Sequence, residues 1–425
     1  MYIYEKILGD SLENICIFED SLYENFLPLT YSRPLFELRC GFKTLREKTQ
    51  FHFPNSTTYF LMRDYLKPLF SKNGRILERP LKGGILFING RVILKERPDI
   101  REEGIYYFNN EIAFIYLKEK SLDSINISGY KDIEKIRNMK LKEFKISNIT
   151  LVRYPWDIIK ENKKEIEREF FNYCRGESIT STDVDIIGDK KLVYIDKNVE
   201  FEKYIVFDTR KGPIYIGPNT DIRSFSRIAG PTYIGEKCLI KSGRIQDCSI
   251  GDVCKIGGEI EDSIFHGYSN KQHYGFIGHS YLGEWVNFGA GTSNSDLKDT
   301  YGKIKYKLGG KTIDSGEQFF GCVAGDNSKS SIGTMIYTGK KIGFAAHIHG
   351  TISEDVPSFC MWAKSLGSEP SELFLDSAIT TYSRAAERRG VHLTKEYEEL
   401  MKNIFEHTKN ERKECNVSCN KFSIG

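Results

Sequence analysis

Five isoleucines stand six residues apart, at Ile216, Ile222, Ile228, Ile234 and Ile240. Neither an α-helix nor a plain alternating strand sustains that spacing, so it marks a repeat architecture. The text between them reads IGPNTD, IRSFSR, IAGPTY and IGEKCL. Each hexad is a short strand plus a corner: the isoleucine points inward, and a following glycine permits the tight turn. No single coil of such a chain buries its own core, so the coils must stack. The ladder resumes at Phe276, Leu282 and Phe288, and again at Ile336, Ile342 and Ile348.

This pattern resembles the left-handed parallel β-helix proteins of the hexapeptide-repeat class, most of which are trimeric acyltransferases. The resemblance covers roughly residues 190 to 360. Fold alone does not fix function, so the chemistry has to be sought in particular residues.

A chain of 425 residues exceeds what one core usually holds, and two domains are expected. A net charge of +3, from 61 basic and 58 acidic residues, gives no reason to invoke nucleic acid or an anionic membrane. The opening MYIYEKILGD lacks an apolar run, and no stretch approaches the ~18 apolar residues of a spanning helix. A soluble cytoplasmic protein is expected. Cys16, Cys238, Cys248 and Cys254 read as buried reduced thiols, and Cys415 and Cys419 would bind a metal only with partners from elsewhere.

Residues 1–165 read as an α/β domain, with strands at 14–18, 84–88 and 112–117 and a helix at KTLREK. Residues 166–189 read as a helical connector, 190–360 as the β-helix and 361–425 as a helical tail. In that tail two amphipathic helices part at Gly390 and either cap the open end of the coil or contact another subunit.

The densest polar constellation spans 270–296. It gathers Asn270, Lys271, His273, His279, Asn287, Asn294 and Asp296 around a Gly-Ala-Gly at 289–291. On pattern alone, His273 reads equally as a loop histidine satisfied by backbone. The segment resembles the acetyltransferase half of the bifunctional N-acetylglucosamine-1-phosphate uridyltransferase/glucosamine-1-phosphate acetyltransferases, through His273, FGAGT (288–292) and Asn294-Ser295-Asp296. The resemblance implies acetyl-CoA as co-substrate and His273 as the base, since an imidazole of pKa about 6.5 is largely neutral at cytoplasmic pH. Gly289, Ala290 and Gly291 would line the pantetheine arm or supply oxyanion donors, and Asn294 and Asp296 would meet sugar hydroxyls. Lys298, Lys303 and Lys305 would meet the sugar phosphate. His279 is the lesser candidate. A zinc site from His266, His273, His279, His347 and His349 is disfavoured, because spacings of seven and six residues place the first three on successive corners.

The stretches LPLTYSRPLFELRCGFKTLREK (27–48) and RYPWDI (153–158) resemble a divergent sugar nucleotidyltransferase branch joined to a β-helix. Two departures stand out. The glycine-rich phosphate loop expected after the first strand is missing, with no glycine between Asp20 and Cys40. In its place Arg33, Arg39, Lys43 and Arg46 would hold nucleotide phosphates, although they read equally as a solvated basic face. ILFINGRVIL places Arg91 where a magnesium-binding carboxylate is expected, leaving Asp157 as a substitute for an Mg2+ that the resemblance implies.

The expectation is a transferase of amino-sugar nucleotide biosynthesis, acetylating a sugar phosphate such as glucosamine-1-phosphate and then attaching a nucleotide. One alternative is a nucleotidyltransferase for another sugar-1-phosphate, such as glucose-1-phosphate, with a purely structural β-helix. The other is a non-catalytic module that binds sugar nucleotides. A homotrimer is expected in each case in which the β-helix assembles. Light scattering should give about three times the 48.9 kDa chain mass, and a monomer at micromolar concentration would refute it.

Overall fold

The computed structural model describes residues 12–77, 82–127, 129–174 and 184–422. It divides into two compact units. The first holds residues up to 24, 33–38 and 43–153; the second holds 25–32, 39–42 and everything from Tyr154 onward. Positions 175–183 of the expected connector and 423–425 of the tail lie outside the described residues.

The first unit is built on a seven-stranded mixed sheet. The interior strand Asn14–Phe18 is buried on both faces and runs parallel to Thr57–Leu61 on one side and to the central strand Ile85–Asn89 on the other. Such all-apolar strands suit the interior of a parallel sheet. Glu111–Leu117 continues the sheet antiparallel to Ile85–Asn89, so the three strands expected from sequence are present within a residue at either end. The expected helix begins at Leu45, with Thr44 and Glu47 forming a reciprocal capping box, and ends at His52. Because the chain leaves Asn14–Phe18 toward one side and later returns on the other, the topology switches direction between Asn14–Phe18 and Ile85–Asn89. In open α/β sheets, ligands bind beyond the carboxyl ends of strands at such a point.

The second unit is a parallel β-helix. Ile216 lies on Ile234 and Ile222 on Ile240, so each ladder residue stacks on the one three hexads further on, not on its successor. All five first-ladder isoleucines are fully buried in one core, which also takes in Leu282, Phe288, Ile336, Ile342 and Ile348. One expected ladder position shifts by a residue: Ile277, paired with Ile260, points inward and Phe276 does not. A loop and an antiparallel hairpin, Lys305–Leu308 with Lys311–Asp314, interrupt the coil between Leu282 and its partner Ala324. The coil continues to Trp362, which stacks on Ile348.

A helix, Pro155–Tyr173, belongs to this unit, and its Asn162 side chain accepts from the Gly41 N–H (2.7 Å) and the Ser249 hydroxyl (2.8 Å). In the tail, helices Leu375–Glu387 and Lys395–His407 flank Gly390, which adopts φ +67°. They lie along the side of the coils, where Tyr382 meets Trp285 edge-on and Tyr397 accepts from the Asn327 amide. Only the segment beyond them, through Cys415 and Val417, packs on the end of the β-helix core.

Because Ile234 touches rungs on both sides, Ile234→Ala opens a void that neighbouring coils cannot close. A loss of about 2–5 kcal/mol is expected, read as a lowered urea midpoint at unchanged secondary structure; a midpoint equal to wild type would contradict this stacking.

Candidate functional site

In the second unit the polar constellation resolves into side chains with separate duties. Lys271 takes an inward rung position, in register with Ile256. It is fully buried, and its ammonium donates to the carbonyls of His273 (2.6 Å) and Tyr274 (3.1 Å). Burial pushes its pKa down to about 8. Lys271 therefore ties a corner together. His273 stands on that corner with its side chain in solvent, and its recorded bond is through its backbone carbonyl.

His279 is held differently. It closes the strand Phe276–Gly278 with φ +45°, a left-handed value that swings the ring out of the ladder. Its Nδ1 lies 2.7 Å from Asp296 Oδ2, and its Nε2 lies 3.5 Å from Asp262 Oδ2. Phe319, from the interrupting loop, stacks on the ring at 5.1 Å. Lys163 of the helix Pro155–Tyr173 meets Asp262 at 2.6 Å and Asp247 at 3.5 Å. Asp247 is raised above the usual carboxylate range, by burial first and by Asp262 second. The result is a half-buried imidazole held between two carboxylates, Asp296 at Nδ1 and Asp262 near Nε2.

The other expected site residues of this unit are largely consumed by the fold. Asn294 is buried and pairs both ways with the Gly278 peptide, accepting from its N–H (2.9 Å) and donating to its carbonyl (3.0 Å). It is a rung clamp, not a free sugar ligand. The Gly289 N–H donates to Ser330 Oγ (2.9 Å), and the Gly291 N–H donates to the Tyr274 carbonyl (2.9 Å). Neither is free to serve as an oxyanion donor. The Ala290 carbonyl accepts from Gly333 (2.7 Å), so Gly-Ala-Gly forms a coil corner. Lys298 donates to the Lys303 carbonyl (2.7 Å), and the Lys303 and Lys305 side chains are exposed in the interrupting loop. His266 bonds Tyr281 at 3.0 Å, apart from the ring of His279 that Asp296 holds.

In the first unit, the carboxyl ends of the central strands carry an ionic network. Arg91 is 2% exposed. It donates to Asp20 (2.7 and 2.9 Å), to Glu111 (2.5 Å) and to the Val152 carbonyl (2.9 Å). Asn89 donates to the same Asp20 (2.9 Å). Beside it, Glu19 is buried and takes both ends of the Arg63 guanidinium together with the Leu35 N–H. Arg63 stacks on Tyr23 at 3.9 Å.

The cations expected to hold nucleotide phosphates are divided between the two units. Arg33 and Lys43 belong to the first unit, but Arg39 belongs to the second, where it is buried and donates to the His266 and Phe42 carbonyls. Arg46 is paired with Glu37 at 2.6 Å. Nor do the residues suit a magnesium ion. Asp157 accepts from the Tyr154 N–H (3.0 Å) as a helix-capping residue, and Asp20 and Glu111 are already neutralised by Arg91. Among the described residues, no group of three or more His, Cys, Asp or Glu side chains is placed to hold a metal.

Residues 15–178 match the family of sugar nucleotidyl transferases. The chain is 28% identical over 66% of its length to a bifunctional sugar-1-phosphate nucleotidylyltransferase/acetyltransferase of Sulfurisphaera tokodaii, covering 67% of that protein. It is 23% identical over 66% of its length to a bifunctional protein GlmU of Methanocaldococcus jannaschii, covering 66% of that one. The match thus spans about two thirds of these relatives. A solved UDP-N-acetylglucosamine acyltransferase of Francisella novicida covers 56% of this chain and 86% of its own at 17% identity, with a TM-score of 0.29. The β-helix assignment rests on the strand pairing above, not on that match. The chain carries a sugar nucleotidyl transferase domain followed by a parallel β-helix, and the relatives support a transferase of sugar-nucleotide biosynthesis.

Removing Arg91 would strand two carboxylates at the sheet end. Arg91→Ala should therefore destabilise the first unit by on the order of 3 kcal/mol, seen as a lowered denaturation midpoint; unchanged stability would mean that the network carries little.

Proposed function

We propose that the β-helix unit transfers an acyl group, acetyl from acetyl-CoA in the simplest case, to the amino group of a hexosamine phosphate, with His279 as the base. The observation that carries this reading is the oriented imidazole: Asp296 at 2.7 Å fixes the tautomer, and Asp262 stands beyond Nε2. An incoming substrate ammonium is drawn toward Asp262 and surrenders its proton to the Nε2 lone pair. The freed amine then attacks the thioester carbonyl; as the tetrahedral intermediate collapses and the C–S bond breaks, the nitrogen gives up its second proton to the departing thiolate, and the imidazolium releases the first proton to solvent. Asp296 stabilises the transient imidazolium. His273, exposed and unoriented, lacks each of these features, which is why the base is placed at His279.

The first domain supplies the nucleotide-binding half of the same pathway. We assign it recognition of a sugar-1-phosphate or sugar nucleotide at the carboxyl ends of Asn14–Phe18 and Ile85–Asn89, with no step routed through magnesium. A purely structural β-helix is disfavoured by the same imidazole, since a coil corner needs neither Asp296 nor Asp262 beside it. A trimer is supported by the exposed apolar side chains Ile332, Met335 and Tyr337 on one short stretch of coil, which invite burial against another copy. The locus of action is the cytoplasm, where both acyl and nucleotide donors are made.

His279→Ala should lower acetylation of glucosamine-1-phosphate by about 100- to 10,000-fold, the span for losing a positioned base, and leave the denaturation midpoint near wild type. His273→Ala should stay within a few-fold of wild type. Wild-type rates in His279→Ala, or the large loss in His273→Ala instead, would overturn the assignment.

A further inference from the structure

A second feature of the β-helix unit lies on its flank. Where the end of helix Leu375–Glu387 meets the coils, a cavity of about 220 Å³ is lined by Asn270, Asn287 and Lys329 from successive rungs and by Arg384, Arg388 and Arg389 from the tail. The remaining lining residues include no carboxylate. Four cations thus face one small space with no counter-charge among its walls.

The groups themselves register the crowding. Burial first and Arg388 second hold the Arg389 guanidinium below its ordinary value. Lys255, one rung from Asn270, is lowered by burial and then by Arg389 and Arg388. Burial pushes Lys329 down to about 8. Arg389 donates to Asn270 Oδ1 at 2.8 Å, yet its Nε is buried with no hydrogen-bond partner. Lys329 reaches only the Trp285 carbonyl, at 3.4 Å. A buried unpaired donor and clustered like charges each disfavour the folded chain, and an anion in the cavity would relieve both.

Guanidinium forks and amide groups converging on one point match an anion with many oxygens. A cavity of about 220 Å³ holds roughly seven waters at about 30 Å³ each, which is room for two linked phosphates. We propose that this pocket is a binding site for a diphosphate group, either free or carried by a nucleotide. It shares no residue with the His279 site and does not depend on the acyl-transfer reading.

The test is isothermal titration calorimetry of the full chain with inorganic pyrophosphate and, separately, with ADP. Wild type should bind pyrophosphate, and an Arg384→Gln/Arg388→Gln double variant, altered only at exposed side chains, should bind it at least tenfold more weakly. Asn287→Asp, which places a carboxylate at the rim, should weaken it likewise. ADP binding more tightly than pyrophosphate would identify a nucleotide as the carrier, and equal affinities would identify the diphosphate alone. Absence of pyrophosphate binding at millimolar concentration in wild type, or equal binding in the variants, would overturn the proposal.

Discussion

Everything in the second unit depends on one packing constraint: an inward side chain must lie on its counterpart a full turn of the coil away. Ile216 on Ile234 and Ile222 on Ile240 satisfy it with matched shapes, and at full burial each such isoleucine contributes on the order of 2 kcal/mol. Once the rungs are locked, the corners have fixed positions, and polar side chains at the corners acquire fixed neighbours. Asn294 clamps the Gly278 peptide because the two lie on adjacent turns. The same adjacency brings Asp296 to His279. The oriented imidazole of the proposed site is thereby built on rigid strand ends, although its members lie on separate turns.

The sheet of the first unit follows a different rule. Parallel strands direct their carboxyl ends to one edge, where charge has to be either solvated or paired. Here it is paired. Arg91 gathers Asp20, Glu111 and a backbone carbonyl, while Arg63 answers Glu19. The place that a metal-binding carboxylate would take is filled by a cation that neutralises the carboxylates nearby. The electrostatic sign of that edge is thus set by internal ion pairs, so any phosphate reaching it meets a surface already balanced.

Periodicity made the β-helix legible, because six-residue spacing of β-branched residues has few structural solutions. The strands of the first unit were legible for a related reason, since continuous apolar runs such as NICIF suit only a buried strand. The site was only partly legible. The density of polar residues over 270–296 is plain in the sequence, but residue type does not tell which polar group is spent on the backbone. Asn294, expected to meet a sugar, and Lys271 of the same constellation are both structural in the fold. His279 looked like a corner residue, and its two carboxylates come from turns seventeen residues away in either direction. The flank cavity was invisible for the same reason, as its rung residues and tail arginines are far apart in the chain.

Residues 25–32 and 39–42 precede most of the first unit in the chain, yet they belong to the second. Ser32 donates to Asp326 at 2.7 Å, and Phe42 stacks on Tyr233 at 4.5 Å. The polypeptide is therefore threaded, not strung like beads. Emerging from the ribosome, these early segments wait for partners that are synthesised roughly two hundred to three hundred residues later, so the β-helix cannot be completed by its own contiguous stretch of sequence. Recombination that swaps either half at a single crossover point would leave the coil without part of its wall, which ties the inheritance of the two halves together.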